Sequence, residues 1–131
     1  VKVAQATPAL TLIVDDEPDM CWALARLLNK YGISSSQALG AREALQYLRV
    51  GDPYQLAFVD AKLPDMDGLE LARRLRQLVP GIRIVMVSGY FYRDDVAVQE
   101  AMAEGLICGF VAKPFDHQEI LKFLDGMARI P

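Results

Sequence analysis

The chain has 131 residues, 53% of them hydrophobic and 24% charged, with a formal net charge of -3. That length suffices for one domain with a substantial core. The apolar runs are too short to cross a bilayer, and no basic footprint suits direct binding of nucleic acid by this domain. The two cysteines, Cys21 and Cys108, lie far apart without metal-ligand spacing. Both are expected to be reduced and buried, as small hydrophobes in a cytoplasmic protein. Residues 1–8 read as an N-terminal extension lacking the apolar core and basic flank of a signal peptide, and residues 9–131 as the domain. Because the chain starts on Val rather than Met, it is expected to be a processed or excised piece of a longer protein.

Ala9 to Val14 is a β-rich run that ends in Asp15-Asp16-Glu17-Pro18-Asp19. Pro18 suits the first position of a helix, and Met20, Ala23, Leu24, Leu27 and Leu28 recur at helical spacing up to Gly32, with Trp22 packing at the helix edge. Ile33 to Ala38 reads as a short, more polar strand. Ala41 to Val50 reads as a helix with Ala41, Ala44, Leu45 and Leu48 inward, stopped by Gly51-Asp52-Pro53. Leu56-Ala57-Phe58-Val59 then ends abruptly on Asp60, repeating the order of strand and acid, and so continuous an apolar run fits a strand buried on both faces. Leu69, Ala72, Leu75, Leu78 and Val79 mark a third helix, ended by Pro80-Gly81 and carrying Arg73, Arg74 and Arg76 elsewhere on its surface. Ile82 to Val87 is a fourth strand that closes on Ser88-Gly89. Asp94 to Glu104 is a fourth helix and Leu106 to Ala112 a fifth strand, ending at Lys113-Pro114. Asp116 to Arg129 is the last helix, with Ile120, Leu121, Phe123, Leu124 and Met127 as its buried stripe.

Five strands alternating with five helices predict an α/β fold, a single doubly wound parallel sheet with helices on both faces. Ligands of such sheets sit at the carboxyl ends of the strands. Those ends carry Asp15 and Asp16, Asp60, Ser88 and Lys113 on strands one, three, four and five. Each has a local alternative: Asp15 and Asp16 as caps of the first helix, Asp60 and Ser88 in turns, Lys113 as a solvated charge. Their collection at one edge favours chemistry over separate coincidences. His117, near the start of the last helix and away from the acids, reads as a surface residue. Asp65 and Asp67 read as loop and cap residues rather than a second metal site.

Taken in order, Val14-Asp15-Asp16-Glu17, Asp60 with Leu63-Pro64-Asp65-Met66-Asp67-Gly68 after it, Ser88-Gly89 and Lys113-Pro114-Phe115 carry a resemblance. From Leu10 to about Arg129 the chain resembles the receiver domain of two-component response regulators, with its flavodoxin-like (βα)5 fold. The resemblance implies that Asp60 is the phosphoacceptor, Asp15 and Asp16 the acidic pair for a divalent metal, Ser88 the phosphoryl-sensing hydroxyl and Lys113 the fixed cation. Physical chemistry agrees with those roles. Crowded carboxylates repel one another unless a cation intervenes, and Mg2+ takes carboxylate oxygens while keeping several waters. Asp16 and Asp60 are expected as direct ligands and Asp15 through water, with the backbone carbonyl of Lys62 completing the set. Lys113 is expected to pair with Asp60 before phosphorylation. The implied donor is a phosphohistidine on a sensor histidine kinase or phosphotransfer protein.

Signalling in that family implies a second state, in which Ser88 swings toward the phosphoryl group and Phe110, three residues before Lys113, rotates into the space left behind. With no hydroxyl on Phe110, this is a packing switch. The implied output surface is the fourth helix, fifth strand and fifth helix, a face through which relatives form phosphorylation-dependent dimers. Here the last helix lacks the basic cluster typical of the winged-helix regulators that dimerise that way. Lys62 and Tyr90, each two residues beyond a key position, flank the approach of water to Asp60 and are expected to slow self-dephosphorylation. The domain is expected to be a signalling module rather than a turnover enzyme, serving transcription control through an output domain in the parent chain. A receiver of a hybrid histidine kinase or a stand-alone phosphorelay shuttle are the alternatives. A phosphatase of the haloacid dehalogenase type is remoter, because it wants a second acid where Lys62 stands.

Overall fold

A computed structural model describes residues 10–49, 53–89, 95–125 and 127. The expected N-terminal extension, the stop after the second helix at Gly51-Asp52, Tyr90, and the far end of the last helix lie outside these residues. Five strands, β1 (Leu10–Val14), β2 (Ser34–Ala38), β3 (Tyr54–Asp60), β4 (Arg83–Gly89) and β5 (Gly109–Lys113), form one parallel sheet in the order β2-β1-β3-β4-β5. Between them run α1 (Pro18–Lys30), α2 (Ala41–Tyr47), α3 (Gly68–Leu78) and α4 (Val96–Ala103), and α5 (His117–Leu121) follows β5, continuing into a 3-10 turn at Lys122–Leu124. This is the flavodoxin-like arrangement. The chain leaves β1 for β2 on one side and returns to β3 on the other, so the order reverses between β1 and β3, and a crevice opens at their carboxyl ends.

Both faces of the sheet are covered, which is why β1, β3 and β4 read as continuous apolar runs. Alternate residues face opposite ways. Leu12, Val14, Ala57, Val59, Ile84 and Met86 pack with Ala41 and Ala44 of α2, Leu71, Ala72 and Leu75 of α3 and Val98 and Ala101 of α4. Ile13, Phe58, Val85, Val87 and Val111 pack on the other face with Cys21, Leu24, Leu27 and Leu28 of α1 and with Ile120 and Leu124 of the last helical segment. Among the described residues, no helix is long and apolar enough to cross a membrane.

Several boundaries depart from the sequence reading. Tyr54 joins β3 because it pairs with Leu10 across a register shift. Conversely, α2 stops at Tyr47, and Leu48 turns extended at φ -92° and ψ 143° while staying buried. β5 begins only at Gly109. Cys108, expected buried in that strand, precedes it and is exposed, its N–H donating to Ile84 O across 2.8 Å. In α1 the inward stripe includes Cys21, whereas Ala23 is exposed and Trp22, expected to pack at the helix edge, is 58% exposed beneath the Arg26 guanidinium. Pro18 places the helix start, and Cys21, Leu24 and Leu28 then fall on one side at the 3.6-residue period.

The last helix is shorter than expected. It is well begun: the Asp116 side chain accepts from Gln118 N, and Glu119 reaches back to the Asp116 N–H, a capping box. After Leu121 it tightens to 3-10, where Arg83 of β4 donates to Phe123 O at 2.8 Å. The Phe123 ring lies where a side chain on Gly109 would stand, since a Cβ there would meet the ring at 2.4 Å. Contacts with the start of β4 and β5 thus accompany the tightening, and periodicity alone does not reveal them.

Candidate functional site

Parallel pairing brings the polar strand ends together. Val14 pairs with Val59, so Asp15, the residue after β1, stands beside Asp60, the last residue of β3. Asp60 pairs in turn with Val87, Ser88 with Ala112 and Gly89 with Lys113. The loop after β1 is held by an Asp15 N–H bond to Ala38 O at 3.0 Å and by the Cys21 thiol, which donates to Asp15 O at 3.3 Å. Burial pushes the Cys21 thiol up to about 11, so it sits there as a neutral donor.

Asp15, Asp60 and Ser88 are all buried, and the Lys113 ammonium reaches the two acids. Its Nζ lies 2.7 Å from Asp15 Oδ2, 3.0 Å from Asp60 Oδ2 and 3.0 Å from Glu17 Oε1. The other oxygen of Asp60 accepts from Ser88 Oγ at 3.1 Å and from the Lys62 N–H at 3.0 Å. Asp15 Oδ1 accepts from the Glu17 N–H at 2.9 Å. Burial pushes the Asp15 carboxyl above the usual carboxylate range, opposed by its bonds to Lys113 and the Glu17 N–H. For Lys113, burial alone would favour the neutral amine, but hydrogen bonds to Asp15, Glu17 and Asp60 outweigh it and hold the ammonium above the ordinary lysine value.

Four acids, Asp15, Asp16, Glu17 and Asp60, each present an oxygen such that all lie within 4.8 Å of one another. This all-oxygen set, two members buried and two exposed, fits a hard divalent cation that retains water on its open side. Lys113 balances part of the same negative charge.

The loop between β3 and α3 closes on itself. Gly68 N donates to Ala61 O at 3.0 Å, and Lys62 and Asp67 form an antiparallel bridge. Only a glycine fits at 68, because a Cβ would meet Asp60 O at 2.3 Å. Asp65, expected as a loop or cap residue, caps a helix other than the one it precedes: its oxygens accept from the Ala41 and Arg42 N–H groups of α2, each at 2.9 Å. Asp67 occupies the N-cap position of α3 without a side-chain cap bond. The Lys113-Pro114 peptide is cis.

Asp15, Asp16, Asp60, Ser88 and Lys113 are therefore brought together, and Lys113 pairs with Asp60 as expected. Lys62 is exposed, touching Asp60 through its backbone. Phe110 is half-buried on β5, paired with Met86 and packed against the α2–α4 side of the core. His117 is exposed at the first position of α5. Tyr90 lies outside the described residues. Glu17, to which the sequence motif assigns no role, reaches Lys113 across 96 residues of sequence and completes the triad of acids around that ammonium.

The family model for the response regulator receiver domain matches residues 11–125. Sporulation initiation phosphotransferase F of Bacillus subtilis is 35% identical over 109 residues, which cover 83% of this chain and 85% of that protein. The probable transcriptional regulatory protein TcrX of Mycobacterium tuberculosis is 30% identical over 132 residues, covering 98% of this chain and 53% of that protein, so the chain spans about half of that relative's length. Among solved structures, a response regulator protein from Burkholderia pseudomallei with a phosphorylated aspartic acid, calcium ion and citrate superposes with a TM-score of 0.76 at 28% identity, covering 90% of this chain and 67% of that one.

Proposed function

Because the chain belongs to the response regulator receiver domain family, we propose that it is a phosphoacceptor whose Asp60 takes a phosphoryl group from the phosphohistidine of a sensor histidine kinase or phosphotransfer protein. One observation carries this reading: Asp60 is a buried carboxylate gripped by Lys113 on one oxygen and by Ser88 and the Lys62 N–H on the other, beside three further acids. The phosphorylated aspartic acid and calcium ion of the Burkholderia regulator support it by similarity.

An Asp60 oxygen attacks phosphorus while the P–N bond to the donor imidazole breaks and its electrons return to the ring nitrogen. Such transfers need alignment and charge stabilisation more than acid–base groups. Lys113 Nζ and Ser88 Oγ already bond Asp60, so both can turn to the phosphoryl oxygens as the carboxylate becomes an acyl phosphate. Mg2+ held by Asp15, Asp16, Asp60 and the Lys62 carbonyl would offset repulsion among the acids and neutralise phosphoryl charge. Departure of Ser88 from Asp60 would free space for Phe110 to repack, changing the surface of α4, β5 and α5.

Residues 9–131 act in this reading as a cytoplasmic signalling domain behind a short extension at 1–8. Transcription control through an output segment of the parent protein is the first role, supported by likeness to a regulator of which the chain spans about half. A stand-alone phosphotransfer role is the second, supported by the near-full-length match to the Bacillus phosphotransferase. Incubation with acetyl phosphate and Mg2+ tests the common core by intact mass. One added phosphoryl group is expected on the unaltered chain and none on Asp60→Asn; a group retained by Asp60→Asn would place the acceptor elsewhere.

A further inference from the structure

Asp65 stands outside the acidic cluster, yet it is tied to the loop that leaves Asp60. The N-cap of α2 is Gly40, and the helix has no capping side chain of its own. Both Asp65 oxygens fill that role from 24 and 23 residues away, each at 2.9 Å. The two backbone bonds hold the Asp65 carboxyl below the usual carboxylate range, as expected of a cap. Gly40 admits the carboxylate, because a Cβ at that position would stand 3.2 and 3.3 Å from its oxygens. The loop is therefore fixed at two places. Its neck is closed by the Gly68–Ala61 bond and the Lys62–Asp67 bridge, and its tip is anchored on α2. Lys62 stands in the neck, its N–H holding Asp60 Oδ1 at 3.0 Å, and its carbonyl opens the stretch that runs from neck to tip.

We infer that Asp65 is a positioning residue for the phosphorylation site: by capping α2 it sets the course of the β3–α3 loop beyond its neck, and so the orientation of the Lys62 carbonyl toward a bound cation. The inference rests on the phosphoacceptor reading above, in which the Lys62 carbonyl is a metal ligand. A loop released at its tip samples more orientations, and the free energy of ordering it must then come from cation binding. The α2 helix and the phosphorylation site are linked through one carboxylate that touches neither Asp60 nor the other acids.

The test is Mg2+ titration by calorimetry, together with the rate of phosphorylation by acetyl phosphate at limiting and saturating Mg2+. The proteins are the unaltered chain, Asp65→Ala, Asp65→Asn and Gln46→Gly, the last weakening α2 from its exposed side without touching the cap. Asp65→Ala should weaken Mg2+ binding about tenfold, the lower end for groups that orient a metal ligand. Its phosphorylation should slow at limiting Mg2+ and recover at saturation. Asp65→Asn, which keeps one acceptor oxygen, should fall between, and it carries the comparison if Asp65→Ala does not fold. Gln46→Gly should lower the thermal midpoint and leave Mg2+ affinity unchanged. Unchanged Mg2+ affinity in both Asp65 variants, or an equal loss in Gln46→Gly, would overturn the inference while the unaltered chain still took its phosphoryl group. An unaltered chain that neither binds Mg2+ nor is phosphorylated would instead overturn the phosphoacceptor reading, and this inference with it.

Discussion

The interior of the sheet and its carboxyl edge both bury polar side chains, but on different terms. At the edge, Asp15, Asp60 and Ser88 are buried and each is bonded, with Lys113 among them. In the interior, Thr11 of β1 is fully buried, and its hydroxyl is the one buried side-chain polar atom among the described residues without a hydrogen-bond partner. A buried hydroxyl left alone costs about 1–3 kcal/mol, whereas a buried charge left alone costs more, so the edge depends on completeness in a way the interior does not. The contrast teaches that the edge network is collectively maintained: each group there is tolerable because of the others. Removing a member should damage the fold as well as the chemistry.

The largest effect should follow from breaking the edge at its cation. Lys113→Ala strands Asp15 and Asp60 without their counter-ion, and a loss of about 3 kcal/mol in urea unfolding at neutral pH is expected, with phosphorylation reduced at least tenfold. An unfolding midpoint equal to that of the unaltered chain would mean that the acids do not depend on the ammonium. The same pairing gives a pH signature. The Lys113 pKa is raised in the folded chain above its ordinary 10.5, so its contribution is fully present below that value and is lost as pH climbs above it. Stability should therefore decline on the alkaline side, and by less in Lys113→Ala. Asp15 has the opposite sense: its carboxyl is raised by burial, so it favours the fold at low pH and withdraws that contribution as pH rises past the usual carboxylate range.

Gly68→Ala should come next. The new methyl collides with Asp60 O and with Ala61 Cα, at 2.3 and 2.8 Å, and the backbone there has to shift. About 2 kcal/mol of destabilisation is expected from such overpacking, with weaker Mg2+ binding because the displaced backbone belongs to Asp60. Unaltered stability would show that the loop yields freely. The smallest effect sharpens the other side of the comparison. Thr11→Val removes the orphan hydroxyl and keeps the shape, so the thermal midpoint should rise, by about 1 kcal/mol in stability, with phosphorylation unchanged. A lower midpoint would mean that the hydroxyl is satisfied in solution.

The legible parts of the molecule were those in which one strand announces itself. The runs ending at Val14, Asp60 and Ser88 are buried on both faces, and their terminal polar residues fall at one edge because all the strands are parallel. The features that the sequence does not display depend on partners distant in the chain. Glu17 meets Lys113 and Asp65 meets α2 only after folding, so neither spacing nor composition names those pairs. Cys108 and Cys21 are equally hydrophobic on paper, yet one precedes β5 and faces solvent while the other lies under the Asp15 loop. The early end of the last helix is likewise accompanied by contacts with Arg83 and Gly109, which belong to strands distant in sequence.

The central claim is that the edge network exists to make Asp60, and not one of its acidic neighbours, the acceptor. Borohydride reduction of the chain after treatment with acetyl phosphate and Mg2+ converts an acyl phosphate to homoserine, and peptide mass spectrometry then locates it. Homoserine at position 60 alone is the expected result. Homoserine at Asp15 or Asp16, or none at position 60 in a chain that has gained a phosphoryl group, would contradict the account.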